Sequence, residues 1–75
     1  MEESYSTGTV SYFDDAEGVG VIESSDTPAG CWCHYSMIEG AGRRTLVAGE
    51  RVFFTFVRAD QDGHAFRAVR VRRAP

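Results

Sequence analysis

Five short segments rich in β-branched and aromatic residues, set apart by turn residues at close spacing, leave this chain few folds to adopt. The first runs Thr9 to Asp14, and Asp14 to Gly18 reads as a turn. The second runs Val19 to Glu23. Ser24 to Gly30, holding Pro28 and Gly30, reads as a loop. The third runs Cys31 to Tyr35, and Ser36 to Glu39 can form one helical turn with Ser36 as its cap. A loop from Gly40 to Gly49 carries Arg43 and Arg44. The fourth segment, Arg51 to Ala59, sets Val52, Phe54 and Phe56 against Phe53, Thr55 and Val57 on its two faces. Asp60 to Gly63 reads as a hairpin turn, and the fifth segment runs His64 to Arg72. No stretch holds a 3.6-residue apolar period.

Five strands in 75 residues fit an all-β, five-stranded antiparallel Greek-key barrel of the oligonucleotide-binding (OB-fold) type. Residues 8–75 form this one domain, and residues 1–7 are expected to be a flexible tail. A domain this small buries only ~60% of the surface its unfolded chain exposes. A deep, doubly supported catalytic pocket is therefore not expected, and function belongs on an outer surface.

No apolar run nears the ~20 residues needed to cross a bilayer. Met1 to Thr7 carries Glu2 and Glu3 and does not read as a signal peptide, so a cytoplasmic location is expected. Cys31 and Cys33 are too close in sequence for an undistorted disulfide and read as free thiols.

The net charge of -3 hides an asymmetry. Residues 1–39 carry acids and neither Lys nor Arg, while residues 40–75 carry all 8 of the chain's basic residues, every one an Arg. Two readings stand: a basic zone on an acidic body, or halves that interleave and pair their charges.

On the third strand Trp32 and His34 point one way and Cys31 and Cys33 the other. Cysteine behaves as a small buried hydrophobe, so the thiols should face the core and Trp32 and His34 the solvent. Val19 and Val21 share a face of the second strand, and Tyr12 and Tyr35 lie nearby in sequence. Aromatics exposed on a sheet make stacking platforms for unpaired bases, each worth ~1–3 kcal/mol.

Three blocks of the chain resemble the bacterial cold-shock proteins. They are G-T-V-S-Y-F-D-D-A-E-G-V-G-V-I from Gly8 to Ile22, C-W-C-H-Y-S-M-I from Cys31 to Ile38, and G-A-G-R-R-T-L-V-A-G-E-R-V-F-F from Gly40 to Phe54. The resemblance implies a barrel whose first three strands present rings and basic groups to single-stranded RNA or DNA. Carried over by position, it puts Tyr12 at the family's exposed Trp and Phe13 at the following Phe. Trp32, His34 and Tyr35 fall at the aromatic, His and aromatic of the second ribonucleoprotein-type motif. Departures are equally specific. Ser11 and Glu17 stand where the family has Lys, Val19 and Val21 where it has the two Phe of the first motif, and Arg43 where it has a loop Phe. Two lost platforms would remove ~2–6 kcal/mol of binding, about 30-fold to 10⁴-fold, if nothing compensated. Arg43 and Arg44 can compensate, since a guanidinium plane stacks on bases and holds phosphate, or they can be solvated loop charges.

The expected nucleic-acid contacts are thus Tyr12, Phe13, Val19, Val21, Trp32, His34, Tyr35, Arg43 and Arg44. The resemblance implies low sequence preference and a role as an RNA chaperone or regulator of transcription or translation. The rival expectation is a protein-interaction barrel that has lost most nucleic-acid affinity. No catalysis, cofactor, metal, membrane or small-molecule substrate is expected. His34 points away from both cysteines, and four tetrahedral zinc ligands do not converge. A monomer is expected, with a dimer as the alternative.

Overall fold

The structure, a computed structural model, describes residues 3–40, 42 and 44–75. Five strands follow in order: β1 Ser4–Asp14, β2 Val19–Ser24, β3 Thr27–His34, β4 Arg51–Gln61 and β5 His64–Arg73, with a 3₁₀ turn at Tyr35–Met37. They close into a barrel in the order β1-β2-β3-β5-β4. Four of the seams are antiparallel, and the closing seam between β3 and β5 is parallel, with Trp32 opposite Arg67.

Several boundaries differ from the sequence reading; β4 runs two residues further, to Gln61, and three other differences are larger in consequence. The expected tail is not a tail over residues 4–7, because Ser4 to Thr7 pair with Phe56 to Phe53 of β4. Sequence pattern misses this stretch because its two serines interrupt the strand-favouring Tyr5 and Thr7; the partner strand supplies the order. The expected loop at Ser24–Gly30 is mostly strand, with only a tight turn at Ser25–Asp26. Ala29 and Gly30 take positive φ of 70° and 99° there, and this distorts β3 without ending it. The helical turn starts one residue early. His34, not Ser36, caps it, its Nδ1 accepting from the Ser36 N–H.

Inside the barrel Val10, Ile22, Cys31, Cys33, Ile38, Leu46, Val52, Phe54, Phe56, Phe66, Ala68 and Val71 form one core. Phe56 sits between Phe54 and Phe66, with ring centroids at 5.7 and 5.6 Å, the second contact edge-on as aromatic quadrupoles favour. Phe54 is sealed while Phe53 is half-buried on the other side of β4, so the doubled Phe serves both faces. No helix among the described residues is long and apolar enough to cross a membrane.

Two bulges decide which side chains face out. Val10 pairs with Ile22 and Tyr12 with Val21, so Ser11 is an extra residue in β1. Strict alternation would put Tyr12 on Val10's inner side. The bulge reverses the parity, so Tyr12 faces out and Phe13 faces in. In β5, Thr55 pairs with Arg70 and Phe56 with Ala68, leaving Val69 extra. That reversal keeps Arg67 on the same outer side as Arg70 and Arg72.

Candidate nucleic-acid interface

Register brings the outward residues of β1, β2 and β3 into rows. Tyr12 is opposite Val21, Val21 opposite Trp32, and Trp32 opposite Arg67. The next row holds Asp14, Val19 and His34. The opposite face of the same strands carries Phe13, Gly20 and Cys33 in one row and Val10, Ile22 and Cys31 in another. Cys31 and Cys33 are fully buried. The indole and imidazole look outward and the thiols inward, as alternation along β3 requires.

The rings form a continuous series. Trp32 and His34 are near-parallel at 24° with centroids 6.0 Å apart, and His34 to Tyr35 is 4.4 Å. Tyr35 is held by its backbone, whose N–H donates to Gly18 O at 2.8 Å. Gly18 has φ +73°, and its missing side chain leaves the space the Tyr35 ring fills. His34 Nδ1 accepts from Ser36 N–H and lies 2.9 Å from Ser36 Oγ. In the neutral ring the proton then sits on Nε2, leaving a donor for a ligand.

Tyr12 is 51% exposed and Tyr35 is also exposed. Val19 is half-buried. Val21 faces the same way yet is only 7% exposed, hemmed in beside Gly30 and between Tyr12 and Trp32. It forms a floor between two rings where the family pattern has a further ring.

Phe13 is not brought onto this surface. It is half-buried against the core, opposite Gly20, and a Cβ on Gly20 would lie 2.6 Å from its Cδ1. Arg44 is exposed on the segment before β4, and Arg43 lies outside the described residues.

The thiols are chemically quiet. Burial, and for Cys31 also the neighbouring Cys33, pushes both up to about 12, so they stay protonated and are poor nucleophiles. Among the described residues no three His, Cys, Asp or Glu side chains gather as metal ligands would.

The C-terminal arginines are not one track. Arg73 pairs with Glu50 at 3.1 Å and donates to Thr45 O. Arg72 lies over the Phe53 ring, 5.8 Å from its centroid, and Arg70 is 3.9 Å from Glu3. Among the described arginines of β5, Arg67 is the one in register with Trp32, and its Nε is buried without a hydrogen-bond partner. Of these contacts only Arg70–Glu3, at 3.9 Å, crosses between the two halves; Arg73–Glu50 lies within the second half. Sequence shows an Arg-rich β5 but not which Arg comes opposite Trp32, since that depends on the Val69 bulge and on barrel closure.

The model of the 'Cold-shock' DNA-binding domain matches residues 6–73. The chain belongs to the cold-shock domain family. It is 37% identical over 62 residues to the cold shock-like protein CspD of Haemophilus influenzae, covering 83% of this chain and 86% of that one. It is 38% identical over 69 residues to the cold shock-like protein CspA of Stigmatella aurantiaca, covering 92% and 97%. Among solved structures, drosophila Unr CSD456 superposes with a TM-score of 0.71 at 20% identity over 97% of this chain, which is 28% of that one; this likeness concerns the fold. Nucleic-acid binding of the cold-shock type is this cold-shock domain's function, and the outward ring series is the surface on which to seek it.

Proposed function

We propose that this cold-shock domain binds unpaired RNA or DNA on the outer face of β1–β3, with low sequence preference. Bases stack on Tyr12, Trp32, His34 and Tyr35, Val19 and Val21 form the floor, and Arg67 and Arg44 meet phosphates, with Arg43 assigned by sequence alone. One observation carries this reading: Tyr12, Val21, Trp32 and Arg67 lie in one row, so two rings and a guanidinium share a surface. Flat rings accept any base, which favours tolerance over sequence readout.

Such a surface suits an RNA chaperone or a regulator of transcription or translation, which must hold strands without selecting them. It works as a monomer, since the proposed contacts all lie on one closed barrel. It catalyses no covalent step, a reading supported by thiols that are buried and protonated. Reduced thiols also suit the cytoplasm.

Titrating a pyrimidine-rich oligonucleotide while following Trp32 fluorescence tests the proposal. Quenching that weakens as salt rises is expected. Unchanged fluorescence at high protein concentration overturns it.

A further inference from the structure

The N-terminal half of β1, β4 and the C-terminal half of β5 have an outer side of their own, and it repeats the chemistry of the first. Tyr5 is opposite Thr55, and Thr55 opposite Arg70. One step along, Thr7 is opposite Phe53, and Phe53 opposite Arg72. Short Thr55 thus lies between a ring and a guanidinium. The result is an open cavity of about 290 Å³ lined by Tyr5, Phe53, Thr55, Arg70, Arg72 and Glu39.

Tyr5 is 64% exposed. It and Phe53 supply ring faces, and Arg72 already lies over Phe53. Glu3 reaches Arg70 only at 3.9 Å, too long for a charge-assisted hydrogen bond, so a phosphate can take its place. Thr55 Oγ1 is buried without a partner.

We infer that this is a second contact face for the same nucleic acid, taking a nucleotide whose base stacks on Tyr5 and whose phosphate meets Arg70 and Arg72. The inference rests on the proposed binding at Tyr12 and Trp32. Both faces share β1, where Tyr5 and Tyr12 lie about 23 Å apart along the strand. A strand longer than the first face can accommodate reaches round the barrel to the second. Two rings with two guanidiniums, which outnumber the one lining carboxylate of Glu39, fit a base and a phosphate better than a stable protein partner, which needs ~800 Å² on each side and an apolar centre.

The test compares wild type with the Tyr5→Ser/Arg70→Gln variant on oligothymidines of about 6 and about 16 nucleotides, the range of sites on one OB fold. Both positions are exposed, so the variant should keep its fold, and unchanged Trp32 quenching by the shorter strand verifies this. For the longer strand, anisotropy should show affinity lowered about tenfold or more, and a salt slope reduced by about 0.7, one phosphate contact. Equal affinity and slope for the longer strand overturn the inference. So does a variant that loses binding to a polyglutamate peptide but keeps the longer strand, which would assign the face to an acidic protein. If the shorter strand fails to quench wild-type Trp32, the β1–β3 reading fails, and dependence of the longer strand on Tyr5 and Arg70 still decides the second face.

Discussion

Trp32 and Arg67 lie opposite one another across the parallel seam that closes the barrel, so the two residues leave β3 and β5 at one level. In the proposed binding mode a base stacked on Trp32 would place its phosphate on the side of Arg67, a cation from a strand outside the first three. On the proposed reading, Arg67 would stand in for part of the positive charge absent at Ser11 and Glu17. Replacing Arg67 with Gln should weaken oligonucleotide binding and lower the salt slope by about 0.7. Trp32 quenching at saturation should persist, because the ring still stacks. Titrations at several salt concentrations check this, and an unchanged slope would remove Arg67 from the interface.

Trp32 is half-buried on the outer side, so its loss should affect binding more than folding. Trp32→Ala should reduce affinity by about 1–3 kcal/mol, roughly 5-fold to 150-fold. Anisotropy of a labelled oligonucleotide measures this, and a urea midpoint confirms that the barrel persists. An affinity within twofold of wild type would mean that the indole is not a platform.

Val19 and Val21 do not offer equal room for a ring. Val19 is partly open, whereas Val21 has Gly30 against it, with a hypothetical Gly30 Cβ only 2.6 Å from Val21 Cγ1. Val19→Phe should add a platform and raise affinity by about 1–3 kcal/mol at little cost in stability. Val21→Phe should instead destabilise by about 1–3 kcal/mol through crowding. Paired binding and urea measurements on the two variants check the contrast, and a gain in affinity at Val21 without loss of stability would contradict the packing described.

How much of this was legible in the sequence depends on parity. β3 keeps strict alternation from Cys31 to His34, so the outward indole and inward thiols follow from residue type alone. β1 does not. Its pattern from Val10 to Phe13 would turn Tyr12 inward, and only the family resemblance placed it outside; the Ser11 bulge is the physical reason. The same resemblance named Phe13 as a contact, and the bulge is why it packs inside. Tyr5 was hidden because Ser4 to Thr7 become a strand only when β4 supplies partners. Arg67 was visible as a basic residue, but its place beside Trp32 follows from closure between segments far apart in sequence.

Gly20 tests the bulge. Its backbone passes so close to β1 that an added Cβ would meet Tyr12 O and lie 2.6 Å from Phe13 Cδ1. The first contact is with backbone, which cannot rotate away. Gly20→Ala should therefore destabilise the barrel by about 1–3 kcal/mol, and binding should fall with it as Tyr12 shifts. Urea unfolding and Trp32 quenching should change together. A variant as stable as wild type would show that β1 and β2 do not approach in this way.

The buried thiols make stability depend on pH at the alkaline end. Folding holds each proton more tightly, pushing Cys31 and Cys33 from 9.0 to about 12 mainly by burial. Below about pH 9 both states keep these protons, and the thiols add no pH dependence. Between about 9 and 12 the unfolded chain releases them while the barrel does not, so unfolding becomes easier as pH rises. Two such groups give a slope of up to about 2.7 kcal/mol per pH unit. Urea midpoints should fall with pH across this window, and less steeply for Cys31→Ala/Cys33→Ala, whose remaining slope reports the other alkaline groups. At neutral pH a thiol reagent should label the folded chain slowly and the urea-unfolded chain fast. Rapid labelling of the native barrel would mean that the sulfurs reach solvent and that β3 does not face as described.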